Sequence, residues 1–430
     1  MNNYDSYKDS GVDWMGDIPS HWNSEKIKNI YSNRNEKNLD GNTNFLSVVK
    51  DVGVVLYSEK GNVGNKTSDD IYKYKIVYEN DLVINPMNII IGSVGLSKYF
   101  GSLSNVYIVL ESQENLNPSF GFYIFKNVDF QKNLHKICYG IMELRESLNK
   151  IEFYVEKIPL PPLKEQQEIV SYLDKKTSSI DSLIQSKKKK IELLKEKRTS
   201  LINQVVNKGL NPDVEIKDSG VEWIGSIPFG WVICKVKHIT KQVVDGTHFT
   251  PTYTDDGVPF LRVTDIHQSE INLDNCKYIS VDEHLELKKR CSPEKGDLLL
   301  SKNGTIGVTR VVTWDWEFSI FVSLCLLKFR NYSPYLFSYY FQSNIVDTQL
   351  FESSKKSTVT NLHLDKIREL LVILPPLSEQ HQIVEYLDKE TKLIDETISS
   401  EQKKIELLKE YKQSLISEVV TGKRKVTTDE

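Results

Sequence analysis

The chain has 430 residues, 39% of them hydrophobic and 27% charged, with a formal net charge of -4. This length exceeds what one compact core holds, so two or more domains are predicted; the ordinary apolar fraction and near-balanced charge exclude a disordered chain and a histone-like polycation. Five cysteines, Cys138, Cys234, Cys276, Cys291 and Cys325, form no CxxC pair, which predicts reduced thiols rather than a disulfide frame or a zinc site.

The opening residues, MNNYDSYKDSG, lack a basic-then-apolar leader pattern, and the most apolar stretch, FSIFVSLCLLKF at 318–329, is too short to span a bilayer. A cytoplasmic protein with no membrane segment is expected. The first distinctive block is DSGVDWMGDIPSHW at 9–22, and it returns as DSGVEWIGSIPFGW at 218–231. The shared context of Trp14, Trp22, Trp223 and Trp231 predicts a framework role for these rings.

After the first head comes a variable region, roughly 24–155, in which strand-forming runs (FLSVV, KIVY, LVIN, VYIVL) alternate with Gly, Asn and Asp turn clusters. NPSFGFYIFKN at 117–127 has a proline at a first helical position behind a capping Asn. The segment IPLPPLKEQQEIVSYLD (158–174) and KKIELLKEKRTSLINQVV (189–206) then predict a long helix starting after Pro161 and Pro162. Leu173, Ile180, Lys187, Leu194 and Leu201 recur every seven residues, as do Thr177, Ile184, Ile191, Arg198 and Val205. This is a coiled-coil seam, and a helix from about 164 to 206 is on the order of 60 Å long at 1.5 Å per residue.

The same order then repeats. PDVEIK at 212–217 resembles the acids of Mg-dependent nucleases, but Asp213 and Glu215 stand two apart in a connector rather than on separate strands. The second variable region, roughly 232–370, contains VPFLRVTDI, GDLLLS (in register with the earlier NDLVIN) and SPYLFSYYFQSN, the counterpart of the 117–127 helix start with Ser as cap. VILPPLSEQHQIVEYLD (372–388), with Ser378 as an expected N-cap, and KKIELLKEYKQSLISEVV (403–420) close the second copy. Their seam is Leu387, Ile394, Glu401, Leu408 and Leu415 beside Thr391, Ile398, Ile405, Lys412 and Val419. If the two helices cross antiparallel about a twofold axis that sets Glu401 against Arg198, Lys187 faces Lys412; alternatively these long side chains snorkel out of the seam.

No catalytic constellation emerges. INPMN at 84–88 lacks the second proline and the ring of an amino-methyltransferase motif, GNVGNKTS at 61–68 fails the Walker spacing, and the eight histidines form no metal-ligand pattern.

The twice-occurring blocks DSGVxWxGxIPxxW, LPPLxEQxxIVxYLD and KKIELLKExxxSLIxxVV resemble the DNA specificity subunit of type I restriction-modification enzymes, over nearly the whole chain. VVDGTHFTPTYTDDGVPFLRVTDI (243–266) and GDLLLSKNGTIGVTR (296–310) resemble a recurrent kind of target-recognition domain in that family, whereas the first variable region departs from it with NPMNIIIGSVG (85–95). The resemblance implies an α+β chain with two similar mixed α/β target-recognition domains, joined by two long helices in an antiparallel coiled coil with a pseudo-twofold repeat. The expected divisions are domain one at 1–157, a spacer helix at 158–207, domain two at 208–371, a second spacer at 372–424 and a tail at 425–430. It further implies a non-catalytic subunit whose domains each read half of a split, asymmetric site in double-stranded DNA. Two modification subunits and the restriction subunits would be its partners, and S-adenosylmethionine, ATP and magnesium would belong to them, with no cofactor or metal in this chain.

Because base edges are read by polar side chains, the expected DNA contacts are His248, Thr250, Lys302, Asn303, Thr305, Lys355 and Lys356 in the second domain, and Lys50, Lys60, Asn88 and Arg145 in the first. Taken singly, each is also compatible with a surface loop residue that touches no base. A nuclease centred on Asp213 and Glu215, and a coiled-coil adaptor that binds only protein, are the alternative readings.

Overall fold

The structure is a computed structural model describing residues 3–50, 52–61, 70–140, 146–267, 270–304, 306–353 and 362–426. It divides into two compact units, one formed by residues 1–188 with 402–430 and the other by residues 189–401. Each unit holds one mixed domain and part of each of two long helices, α1 (Leu163–Lys208) and α2 (Leu377–Val420).

In the first unit, β1 (Tyr31–Asn33), β2 (Leu82–Ile84), β3 (Val94–Leu96) and β4 (Ile108–Ser112) form an antiparallel sheet in the order β1-β4-β2-β3. All three residues of β2 are apolar and buried, as expected of a strand inside the core. The chain enters β2 through Asn80 at φ 67°, a left-handed position that Asn tolerates better than most residues. Asp81 follows, accepting from the Tyr78 amide and pairing with Arg34, both at 2.8 Å.

The second unit repeats this plan with β5 (Thr240–Asp245), β6 (Leu298–Ser301), β7 (Thr309–Val311) and β8 (Leu324–Phe329) in the order β5-β8-β6-β7. Gly296, at φ 91°, takes the place of Asn80. Asp297 again lies beneath the strand entrance, but its cation is now Lys328 of β8, at 2.9 Å. The framework has thus kept the buried carboxylate while the positive partner moved from Arg34, just past β1, to Lys328 on β8.

Paired contacts explain the repeated motifs. Buried Gln166 donates to the carbonyls of Asn115 (3.0 Å) and Pro161 (2.8 Å) and accepts from the Asn117 amide (2.7 Å). Gln380 donates to the Pro375 carbonyl (2.9 Å) and accepts from the Ser333 amide (3.4 Å). Tyr123 clasps Asp174 and Thr177 at 2.6 and 3.3 Å, and Tyr339 clasps Asp388 and Thr391 at 2.7 and 3.1 Å. These bonds tie each domain's proline-led helix to the long helix leaving it. The preceding acid differs between copies: Glu165 meets His21 (2.8 Å) and the Tyr4 hydroxyl, whereas Glu379 accepts from the Trp231 indole at 2.8 Å. Trp14, Trp22 and Trp231 are buried, and Trp223 packs against the second core.

Two capping expectations require correction. Asn117 accepts from the Ser119 and Phe120 amides (3.0 and 3.2 Å) and caps helix Pro118–Lys126, but the Ser333 side chain makes no capping bond to helix Pro334–Phe341. Its backbone is held instead by Gln380. Ser378 lies within α2, which starts one residue earlier at Leu377; the helix begins directly after the proline pair.

Along the seam, Leu173, Ile180, Ile184, Ile191, Leu387, Ile394, Ile398, Ile405 and Leu415 are buried, as are Thr177 and Thr391, while Leu194, Leu201 and Leu408 are half-buried. In the second unit Lys190 reaches Glu401 (3.0 Å) and Arg198 reaches Asp395 (3.1 Å). Rising numbers on one helix meet falling numbers on the other, so the pair is antiparallel. In the first unit Lys412 meets Asp181 at 2.6 Å. The anticipated matching of Glu401 with Arg198 and of Lys187 with Lys412 is therefore overturned. Arg198 and Lys412 lean to the half-exposed edge of the seam and find carboxylates there, where desolvation costs less than in the apolar centre.

Candidate nucleic-acid interface

A cluster of charged side chains in the second unit is built at the end of β5. Asp245, whose side chain is 3% exposed, accepts from Lys302 Nζ at 2.8 Å and lies 3.1 Å from His248 Nε2, with the Arg290 guanidinium on its other oxygen. Burial alone would raise this carboxyl, but the contacts with Lys302 and His248 hold it below its ordinary value. Gly246 permits the geometry: a Cβ there would lie 1.9 Å from the Ile320 carbonyl oxygen. A side chain there would collide with the backbone of Ile320 and Phe321, so the position next to Asp245 is confined to glycine.

The expected DNA contacts fall into three kinds of place. Lys302 is buried and ion-paired, so it lies beneath the surface as a counter-charge. His248 and Thr250 are exposed on the turn after β5, and Asn303 is half-buried with an Oδ1 that has no hydrogen-bond partner. In the first unit, Lys50 is exposed, Lys60 lies 4.0 Å over the Tyr57 ring, and Asn88 is exposed at the start of a single turn, Ile89–Ile91. Arg145, Thr305, Lys355 and Lys356 lie outside the described residues.

Two further cations had no local signal in the sequence. Arg290 belongs to the Asp245 cluster only through tertiary contact. Lys75, in the first unit, is buried with its ammonium donating to the Tyr107 carbonyl at 2.9 Å, and burial, with Lys150 and Lys37 nearby, lowers it to about 8. Among the described residues, no three His, Cys, Asp or Glu side chains gather into a metal-binding group, and no helix is long and apolar enough to cross a membrane.

A duplicated α+β domain with one shared framework and two different polar surfaces, each copy tied to a long seam-forming helix, defines a two-module recognition protein. The family model described as type I restriction modification DNA specificity domain matches residues 19–193 and 231–410. The chain belongs to this family and is a type I restriction-modification specificity subunit, a class that is itself non-catalytic. It is 23% identical over 441 residues to a putative type I restriction enzyme specificity subunit, MjaX, of Methanocaldococcus jannaschii, covering 96% of each chain. It is 26% identical over 241 residues to the EcoBI specificity subunit of Escherichia coli, covering 54% of this chain and 51% of that protein. The fold is shared with a chain solved in a study of type I R-M complex assembly and conformational transition (TM-score 0.73, 17% identity, 94% of this chain and 98% of that one). It is also shared with the HsdS subunit of Thermoanaerobacter tengcongensis (TM-score 0.54, 16% identity, 95% and 98%).

Proposed function

We propose that each domain, 1–157 and 208–371, reads one half of a bipartite asymmetric site in double-stranded DNA, and that the paired long helices set the gap between the halves. The observation that carries this reading is one framework with two surfaces. The Gln166 and Gln380 clasps and the two four-stranded sheets match, while the Asp245 cluster occupies a place where the first copy, counted from its matching strands, has Glu36 and Pro86. Equal frameworks give equal docking, and unequal surfaces read unequal sequences. His248, Thr250 and Asn303, with Thr305, Lys355 and Lys356, are the proposed second-domain contacts; Lys50, Lys60, Asn88 and Arg145 are those of the first. The chain itself performs no chemistry. Two modification subunits supply methyl transfer from S-adenosylmethionine, and restriction subunits supply ATP- and magnesium-dependent translocation and cleavage, in the cytoplasm.

The test is a graft. Replacing residues 232–370 by the matching region of a relative, together with the modification subunits, changes one half of the methylated sequence in a sequenced methylome and leaves the other. A change in both halves rejects independent reading. Inserting seven residues after Leu194 and after Leu408 preserves the seam and adds about 10 Å of helix. Methylation then moves to sites whose halves are unchanged and whose gap is longer by on the order of three base pairs at 3.4 Å each.

A further inference from the structure

Asp245 has more positive neighbours than one carboxylate neutralises. Lys302, 5% exposed, offsets its charge from below. Arg290 then carries surplus charge, and 52% of its side chain is open to solvent, beside a His248 side chain that is 62% exposed. The guanidinium is also fixed in place: besides Asp245 it donates to the Gly246 carbonyl at 3.3 Å and lies 3.5 Å from His248 Nε2. Its two donated bonds, to Asp245 and to the Gly246 carbonyl, leave three of its five N–H donors without an acceptor among these groups.

We infer that Arg290, positioned by Asp245 and Lys302, grips a backbone phosphate of the duplex bound by the second domain. A guanidinium held rigidly with spare donors matches the oxygens of a phosphate, and such contacts position a reader on its duplex. The feature is one-sided: counted from the matching strands, the first copy keeps a carboxylate, Glu36, where the second has Asp245, but has Pro86 in place of Lys302. The inference also gives Lys302 its role: it keeps Asp245 from cancelling the charge of Arg290. It rests on the proposed reading of DNA by the second domain.

The experiment uses the full chain with its modification subunits and a duplex carrying the site found by methylome mapping, with affinity measured between about 0.05 and 0.2 M KCl. Arg290→Ala and the better-packed, neutral Arg290→Gln are each expected to weaken binding on the order of tenfold, by the same factor for every base-pair substitution in the second half-site. Both are expected to make the plot of log affinity against log salt shallower by about 0.9, the loss of one phosphate contact, while Arg290→Lys retains the slope. An unchanged slope in both neutral variants overturns the inference. So does a loss confined to one particular base pair, which would make Arg290 a base reader. A wild-type complex that fails to distinguish its mapped site from a scrambled duplex overturns the domain reading itself, and this contact with it.

Discussion

Lys412 donates to both carboxylate oxygens of Asp181, at 2.7 and 2.6 Å. Advanced or set back by one repeat of the long helices, the same two positions are Asp395 and Arg198, which meet at 3.1 Å. The duplication has therefore conserved an inter-helix ion pair while exchanging lysine for arginine. Glu401, by contrast, stands where the first helix has Lys187, and it pairs with Lys190. That contact breaks the symmetry of the seam.

The Lys412–Asp181 pair is partly exposed, so its expected worth is small, about 0.2–1 kcal/mol. Asp181→Lys places two ammonium groups together and lowers the urea midpoint; adding Lys412→Asp to it restores most of the loss. A double variant no more stable than the single one would show that the two side chains do not interact in solution.

Gln166→Leu removes a side chain that bonds three backbone groups. Each buried donor or acceptor left without a partner costs about 1–3 kcal/mol, so the stability read from chemical denaturation should fall by at least the amount for one such group. Leu is of similar size, so a cavity is not the cause. A neutral result would mean that water replaces the lost bonds.

Lys75 gives a pH dependence with a defined sign. Its folded-state value, about 8, lies below the ordinary 10.5, so the unfolded chain holds the proton more tightly between those values. The cost of burying the charged form is fully present below pH 8, and its removal makes the native state more stable as pH rises to about 10.5. Lys75→Met should be more stable than the parent at pH 7, with the difference shrinking across that window in parallel thermal melts. A constant difference would place the lysine in water.

Asp213 and Glu215 are exposed in the connector, where the Asp213 amide donates to the Asn211 side-chain oxygen and the Glu215 carbonyl accepts from the Phe229 amide. Among the described residues neither carboxylate joins a cluster of further acids, as a nuclease centre would require. Changing both to Ala is expected to leave methylation and cleavage by the reconstituted complex unaltered. Loss of cleavage with DNA binding preserved would revive the nuclease alternative.

The sequence by itself determined the duplication, the proline-led starts of both long helices and the buried seam, because these depend on spacing within a few turns of one helix. It also placed NDLVIN and GDLLLS in register, and their strands occupy matching places in the two sheets. Only the tertiary structure decided which charges are spent inside the protein. Lys302 read as an exposed loop cation because its partner, Asp245, lies 57 residues earlier. Arg290 gave no signal because its carboxylate is 45 residues away. The partner of Glu401 turned on the register of two helices separated by 211 residues. Periodicity fixes which face of an element is buried, whereas the fate of a charged side chain depends on what distant strand or helix is packed against it.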